Sequence, residues 1–320
     1  MIVVTGAAGF IGSALLGVLQ ARGYGDLVAV DDFAYPEKNK NLADKPKILL
    51  VEREDLWAWM EENGRWIQCV LHMGARTNTA EQSLETLNYL NVEYSQKMWK
   101  MCIKHSIPLI YASSAATYGS GQEGFSDEHA LNTLKPLNLY GESKHKFDLW
   151  VQAQTDHPPF WAGFKFFNVF GPNEYHKGRM ASVIMHAYSQ INGTGKMRLF
   201  QSHVPEYKNG EQQRDFIYVK DLIDVLIYFM ENRKHSGLYN LGTGKARTFN
   251  DLALAVFKAL NIEPNIEYIP IPEDIREAYQ YYTQADMQKL RKAGYKPEFT
   301  SLEEACSDYV ERYLSREVYL

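Results

Sequence analysis

Three glycines spaced three apart, in Thr5-Gly6-Ala7-Ala8-Gly9-Phe10-Ile11-Gly12, constrain this 320-residue chain more than any other feature. They directly follow the apolar run Ile2-Val3-Val4 and open an amphipathic segment. Glycine permits a tight turn, a close approach of backbone to a pyrophosphate, and close packing of helix on strand. The helix that follows presents unpaired N–H groups and the positive end of its dipole to an anion. Strand, turn and helix in this order read as the phosphate-binding turn of a dinucleotide site, lined by Gly6, Gly9, Phe10, Ile11 and Gly12. The next strand-like run ends at Asp31-Asp32, about 19 residues beyond Gly12. A carboxylate there can accept hydrogen bonds from the adenosine ribose, which favours NAD over NADP. Lys38, Lys40, Lys45, Lys47 and Arg53 follow closely, and one or two of them could neutralise a 2′-phosphate instead. Both cofactors stay open on this reading.

Strand-like runs at 2–6, 27–32, 69–75 and 109–114 alternate with helical patterns over 11–22, 54–62, 86–105 and 140–155. Such alternation predicts an α/β fold with a Rossmann-type doubly wound parallel sheet. The pattern weakens after Asn168, and the polar stretch 201–213 reads as an exposed insertion. A βα-like stretch returns at 215–232. The expected division is therefore a dinucleotide-binding domain from 1–167 and 214–242, and a smaller α/β substrate-binding domain from 168–213 and 243–320. The net charge of −5 gives no reason to expect nucleic acid or an acidic membrane as partner. Three dispersed cysteines, Cys69, Cys102 and Cys306, lack the spacing of a metal site or disulfide framework and fit a reducing cytoplasm. No apolar stretch approaches the roughly 18 residues a membrane helix needs.

Tyr140 and Lys144 stand four apart on a predicted helix and share one face. A phenol near pKa ~10 is a poor base at neutral pH. A neighbouring ammonium and an oxidised nicotinamide would stabilise its phenolate, so that it can take a proton while hydride leaves carbon. By itself this pair is common by chance. The third element is Tyr111-Ala112-Ser113-Ser114-Ala115-Ala116-Thr117, a strand running into a small-residue loop. A hydroxyl there can hold the reacting oxygen and relay its proton. Ser114 is the preferred residue, with Ser113 and Thr117 open as plain turn hydroxyls.

These motifs, with the run His72-Met73-Gly74-Ala75, resemble the extended short-chain dehydrogenase/reductase family of nucleotide-sugar enzymes over the whole chain. The resemblance implies that Met73, Gly74 and Ala75 contact the cofactor, with Asn91 near the same loop. It also implies that Ser114, Tyr140 and Lys144 oxidise a sugar hydroxyl, with Lys144 holding the nicotinamide ribose. The segment 166–183, containing His176-Lys177-Gly178-Arg179-Met180-Ala181-Ser182, is similar to the substrate loop of a narrower branch that inverts C6″ of an ADP-linked heptose. That likeness extends to Arg214-Asp215-Phe216, to 240–244 and to Tyr279-Gln280. It implies ADP-heptose or a related nucleotide sugar as substrate, held by Ser114, Asn168, Lys177, Arg214 and Tyr279. It further implies NADP as cofactor, with Lys38 and Arg53 at its basic positions, and a homo-oligomer, possibly a pentamer. Asp32 stands where this branch commonly has Asn, and the 201–213 stretch is longer than usual.

An epimerase must handle protons from two directions, so a second acid/base is expected, and Lys177 is the candidate. Its alternatives are a surface lysine or a phosphate ligand. A 4,6-dehydratase would need an Asp-Glu pair after the active-site hydroxyl, where this chain has Ala115-Ala116. A UDP-hexose 4-epimerase is the remaining alternative, and only the 176–182 segment speaks against it.

Overall fold

The computed structural model describes residues 1–276 and 279–320. In chain order its strands are β1 Ile2–Thr5, β2 Leu27–Asp31, β3 Leu49–Glu52, β4 Cys69–His72, β5 Leu109–Ser114, β6 Trp161–Phe166, β7 Asn168–Phe170, β8 Met197–Phe200, β9 Gln213–Tyr218, β10 Gly237–Leu241, β11 Ala246–Thr248 and β12 Ile266–Ile269. Seven of them form one sheet in the order β10-β6-β5-β4-β1-β2-β3, every neighbour parallel.

Alternation along these strands explains why both faces are buried. Val3, Val28, Val30, Val70 and Leu109 point to one face, against Trp99, Met98 and Phe147. Ile2, Val4, Leu27, Ala29 and Leu71 point to the other, against Leu15, Leu16 and Leu19 of the helix Phe10–Ala21. Only the outermost strand departs from this, with Leu49 and Leu50 exposed. The chain runs β1→β2→β3 in one direction and then β4→β5→β6 in the other, so the order reverses between β1 and β4. Loops leaving the carboxyl ends of strands at such a reversal form a crevice suited to a ligand. Here those loops are the glycine turn and Met73–Ala75.

The expected helices appear as Phe10–Ala21, Leu56–Asn63, a stretch from Leu84 to Lys104 widened by a π turn at Asn88–Glu93, and Leu139–Gln152. The stretch 214–242, assigned from the sequence to the dinucleotide-binding domain, is shared between sheets. β9 lies between β7 and β11 in a separate three-stranded sheet, whereas β10 forms the edge of the large one. The helix Val219–Glu231 between them packs on Phe10–Ala21. The Asp-Phe-Ile-Tyr run of β9 is apolar enough to be buried in either sheet, and its pattern alone does not choose. The 201–213 stretch forms a loop after β8, but it is tied down: Gln212 is buried and donates to the carbonyls of Phe200 and Gln201. Among the described residues no helix is long and apolar enough to cross a membrane.

Candidate active site

Gly6 adopts φ 64°, and a Cβ there would lie 2.6 Å from the Gly74 Cα. A Cβ on Gly12 would overlap the Gly6 carbonyl oxygen. The turn is thus closed by backbone on backbone, and any side chain at these positions would fill the cradle. Gly9 starts the helix Phe10–Ala21 with no side-chain cap, leaving its first N–H groups for an anion. These residues fit a dinucleotide pyrophosphate.

Asp31, read from the sequence as a ribose ligand, is engaged with the chain itself. Its Oδ2 accepts from the Ala8 N–H at 2.9 Å, and its Oδ1 from the Asp32 N–H at 2.8 Å and Lys38 Nζ at 2.6 Å. With both oxygens engaged and the residue buried, it braces the glycine turn. Asp32 lies further out, 3.5 Å from the Arg53 guanidinium, and accepts from the Ala34 N–H. Asp32 thus pairs with Arg53, and Lys38 is drawn onto Asp31.

At the end of β4, the Gly74 N–H donates to Thr5 Oγ1 at 3.1 Å, and Thr5 Oγ1 lies 2.6 Å from His72 Nδ1. The other ring nitrogen is 3.0 Å from Ser95 Oγ, which donates to the Asn91 carbonyl. Burial is the main cause that pushes His72 down to about 3, so the ring stays neutral and relays hydrogen bonds. Met73 and Gly74 border the crevice beside Gly6. Asn91 lies next to the same loop, at Arg76. Its amide is fully buried, accepting from the Arg76 N–H and donating to the Arg76 carbonyl and Ser143 Oγ. It ties the loop after Ala75 to the helix carrying Tyr140 and Lys144.

That helix starts at Asn138, whose side chain accepts from the Gly141 N–H. Lys144 Nζ donates to the Ala112 carbonyl at 2.8 Å, which fixes the ammonium beside the end of β5. Ser114 closes β5, half-buried, and lies near enough to Tyr140 to favour its phenolate. The structure thus brings Ser114, Tyr140 and Lys144 together. Burial raises the Tyr140 phenol, and the nearby Ser114 opposes this. Burial also lowers Lys144 to about 8, with Asp148 opposing. Desolvation, which the sequence reading did not weigh, outweighs the expected depression of the tyrosine in the protein alone. Ser113 takes a structural part, donating to Asp148 Oδ2 at 2.7 Å, and Thr117 donates to the Ser114 carbonyl.

Behind these residues lies a group that the sequence reading missed. Lys165 Nζ is 2.8 Å from Asp148 Oδ2, with side-chain exposures of 1% and 0%, and it also donates to Thr117 Oγ1. The signal was available: a lysine inside the otherwise apolar Trp161-Ala-Gly-Phe-Lys-Phe must find a partner if that strand is buried.

Lys177 sits in the short turn Tyr175–Met180, with its Nζ 5.4 Å from the centre of the Phe10 ring. Burial lowers its pKa, opposed by Glu174. Among the described residues it forms no hydrogen bond with Tyr140 or Ser114; its neighbour is the glycine turn. The loop is pinned by buried Glu174, which accepts from the Gly171 N–H and from Ser182. Arg214 is buried, donates to the Gln213 and Gln280 carbonyls, and lies 5.4 Å from the Tyr279 ring centre. Gln280 reaches the Gly119 carbonyl, so this cation and aromatic pair borders the loop after Ser114. Asn168 is exposed at the start of β7. Among the described residues no group of His, Cys, Asp or Glu could hold a metal ion.

Residues 2–242 match the NAD dependent epimerase/dehydratase family. The chain is 44% identical to the ADP-L-glycero-D-manno-heptose-6-epimerase of Fusobacterium nucleatum over 99% of both chains. It is 48% identical to the enzyme of the same name from Nitratidesulfovibrio vulgaris over 98% of both. Among solved structures, the ADP-L-glycero-D-manno-heptose-6-epimerase of Helicobacter pylori superposes with a TM-score of 0.82 at 26% identity, covering 97% of this chain and 95% of that one. A UDP-N-acetylglucosamine 4-epimerase from Methanobrevibacter ruminantium superposes with a TM-score of 0.83 at 25% identity, covering 98% of both.

Proposed function

The chain belongs to the NAD dependent epimerase/dehydratase family, and on that premise we propose that it is an ADP-glycero-manno-heptose 6-epimerase that inverts C6″ with NADP bound. The observation that carries the substrate is the likeness to relatives of that name along nearly the whole of both chains. The reaction class rests on Ser114, Tyr140 and Lys144 meeting beside the sheet's switch point.

When bound, the nicotinamide supplies the reversible two-electron step at C6″ that no side chain can supply. Gly6, Gly9 and Gly12 would hold its pyrophosphate, with Phe10, Ile11, Met73, Gly74 and Ala75 bordering it. Ser114 Oγ holds the C6″ oxygen, and the Tyr140 phenol oxygen exchanges its proton with that oxygen. Lys144, fixed by the Ala112 carbonyl, favours the phenolate while ionised and orients the nicotinamide ribose. Arg214 is a planar fork suited to the substrate diphosphate, and Tyr279 packs against it. Anchoring that end leaves the sugar free to present either face after oxidation. Lys177, in the loop over Phe10, handles the proton in the second orientation, and its lowered pKa suits the exchange. NADP in place of NAD rests on Arg53, which pairs with Glu54 through Nε at 2.8 Å and stands 3.5 Å from Asp32 through Nη2, the end that would meet a 2′-phosphate. The reading includes a cytoplasmic, homo-oligomeric enzyme.

The test is incubation with ADP-D-glycero-D-manno-heptose in deuterated water, following the epimer ratio by chromatography and C6″ labelling by mass spectrometry. The ratio should move to equilibrium without net cofactor consumption and without deuterium at C6″. An unchanged ratio alongside conversion of UDP-glucose would overturn the substrate, and deuterium at C6″ would overturn direct return of the same hydrogen.

A further inference from the structure

Asn41 and Asn173 are two fully buried amides outside the glycine turn and the catalytic set. Asn41 Nδ2 donates to the Ala8 carbonyl inside the phosphate-binding turn at 2.9 Å. The same nitrogen lies 3.1 Å from the Asn173 carbonyl and 3.2 Å from His176 Nδ1, both in the loop that carries Lys177. Two hydrogens thus face three acceptors on two separate segments, and the Asn41 oxygen is buried with no partner among the described residues. An arrangement that gives up an acceptor's hydrogen bond is costly, and it fixes the amide as a pure donor between turn and loop.

Asn173 makes the reciprocal contact. Its Nδ2 donates to Ser13 Oγ, on the first turns of the helix Phe10–Ala21, at 3.0 Å. It also donates to the Leu320 carbonyl, and its Oδ1 accepts from the Leu320 N–H. Leu320 in turn lies flush on Gly17 of that helix, where a Cβ would be 2.8 Å from its carbonyl carbon. The Tyr175 hydroxyl donates to the Val318 carbonyl, closing the clasp from the other side. Lys177 over the Phe10 ring completes the dock. The loop proposed to carry the second acid/base is therefore bolted to the phosphate turn and its helix.

We propose that Asn41 and Asn173 are positioning residues that make the Lys177 loop a mechanical extension of the phosphate-binding turn, so that filling that turn with dinucleotide orders Lys177. Its relevance to catalysis rests on the proposed role of Lys177, but the coupling itself does not. The amide of Asn41 transmits the state of the Ala8 peptide to residues 173–177; Asn173 transmits that of the helix start.

Amide hydrogen exchange on the full chain, with and without NADP, reads this directly. In the wild-type protein, NADP should slow exchange both in peptides from 5–13 and in peptides from 173–180, where the Lys177 N–H bonds to the Glu174 carbonyl at 3.0 Å. In Asn41→Ala at saturating NADP, protection of 5–13 should persist while 173–180 exchanges about tenfold faster, roughly the factor one lost hydrogen bond accounts for. Asn173→Gly is the second variant, because glycine keeps the φ of 78° at this position while deleting the amide. A merely structural role would raise exchange everywhere and weaken NADP binding, and that outcome overturns the proposal. So does wild-type protection confined to 5–13. Lys177→Met should keep the coupled protection. If that variant also epimerises normally, the reading of Lys177 as a base falls while the coupling stands. In turnover, Asn41→Ala should lower kcat with little change in KM for the nucleotide sugar.

Discussion

Removing one member of the Lys165–Asp148 pair should destabilise the protein far more than removing both. Lys165 Nζ and Asp148 Oδ2 stand 2.8 Å apart at 1% and 0% side-chain exposure. Neither charge can turn to water when its partner is deleted. Truncating one partner of a buried pair costs about 3–5 kcal/mol, because the desolvated charge that remains is uncompensated. Lys165→Met leaves Asp148 hydrogen-bonded to the hydroxyls of Ser113 at 2.7 Å and Tyr111 at 3.4 Å. Asp148→Asn leaves the ammonium with neutral partners, among them Thr117 Oγ1 and the Tyr118 ring, and no counter-charge there. With a urea m-value of roughly 3 kcal/mol/M, each single variant should lose about 1–2 M in its unfolding midpoint. The double variant Asp148→Asn/Lys165→Met buries no charge and keeps similar volume. It should return to within about 1–2 kcal/mol of wild type, giving a coupling of about 4 kcal/mol or more. Urea titration followed by circular dichroism measures all four corners of the cycle. Single variants within about 1 kcal/mol of wild type, or a strictly additive double, would refute the reasoning.

Three further outcomes follow from the site. Gly12→Ala should abolish dinucleotide binding in a fluorescence titration, because its Cβ meets the Gly6 carbonyl, a backbone atom that cannot swing aside; retained affinity would show that the turn can open. Burial holds Lys144 at about 8 instead of 10.5, so between those pH values the unfolded chain binds more protons and stability should rise with pH. Urea midpoints of wild type and Lys144→Met, compared from pH 8 to 10.5, isolate that contribution, and parallel profiles would disprove the shift. Tyr140→Phe should cut kcat by about 10²–10⁴ with cofactor affinity unchanged, checked by turnover and titration, and a smaller loss would move the proton chemistry elsewhere.

What could be read from the chain alone was local. Gly9 and Gly12 announce themselves because a Cβ on either presses on the Gly6 carbonyl oxygen within the same turn, whereas the Gly74 backbone that excludes one at Gly6 lies in another segment. Tyr140 and Lys144 were legible because helical periodicity puts them on one face, and Ser114 because a strand end flanked by small residues leaves a hydroxyl accessible. What the sequence does not supply is the partner a side chain finds in another segment. Asp31, read as a ribose ligand, also braces the Ala8 N–H, 23 residues away in sequence. Asn91, placed near the Met73–Ala75 loop, also reaches Ser143, 52 residues on. A buried polar group must be satisfied, but composition does not say by whom. Sequence reasoning therefore finds which polar residues are constrained more readily than it finds the constraint. Lys165 shows how far it can be pushed: a lone charge in a buried strand demands a counter-charge. The helix face that carries Tyr140 and Lys144 offers one a single turn further on, at Asp148. The same rule extended to Asn41 and Asn173 would have marked both as engaged, though nothing in their spacing names Ala8, Ser13 or Leu320 as the partners.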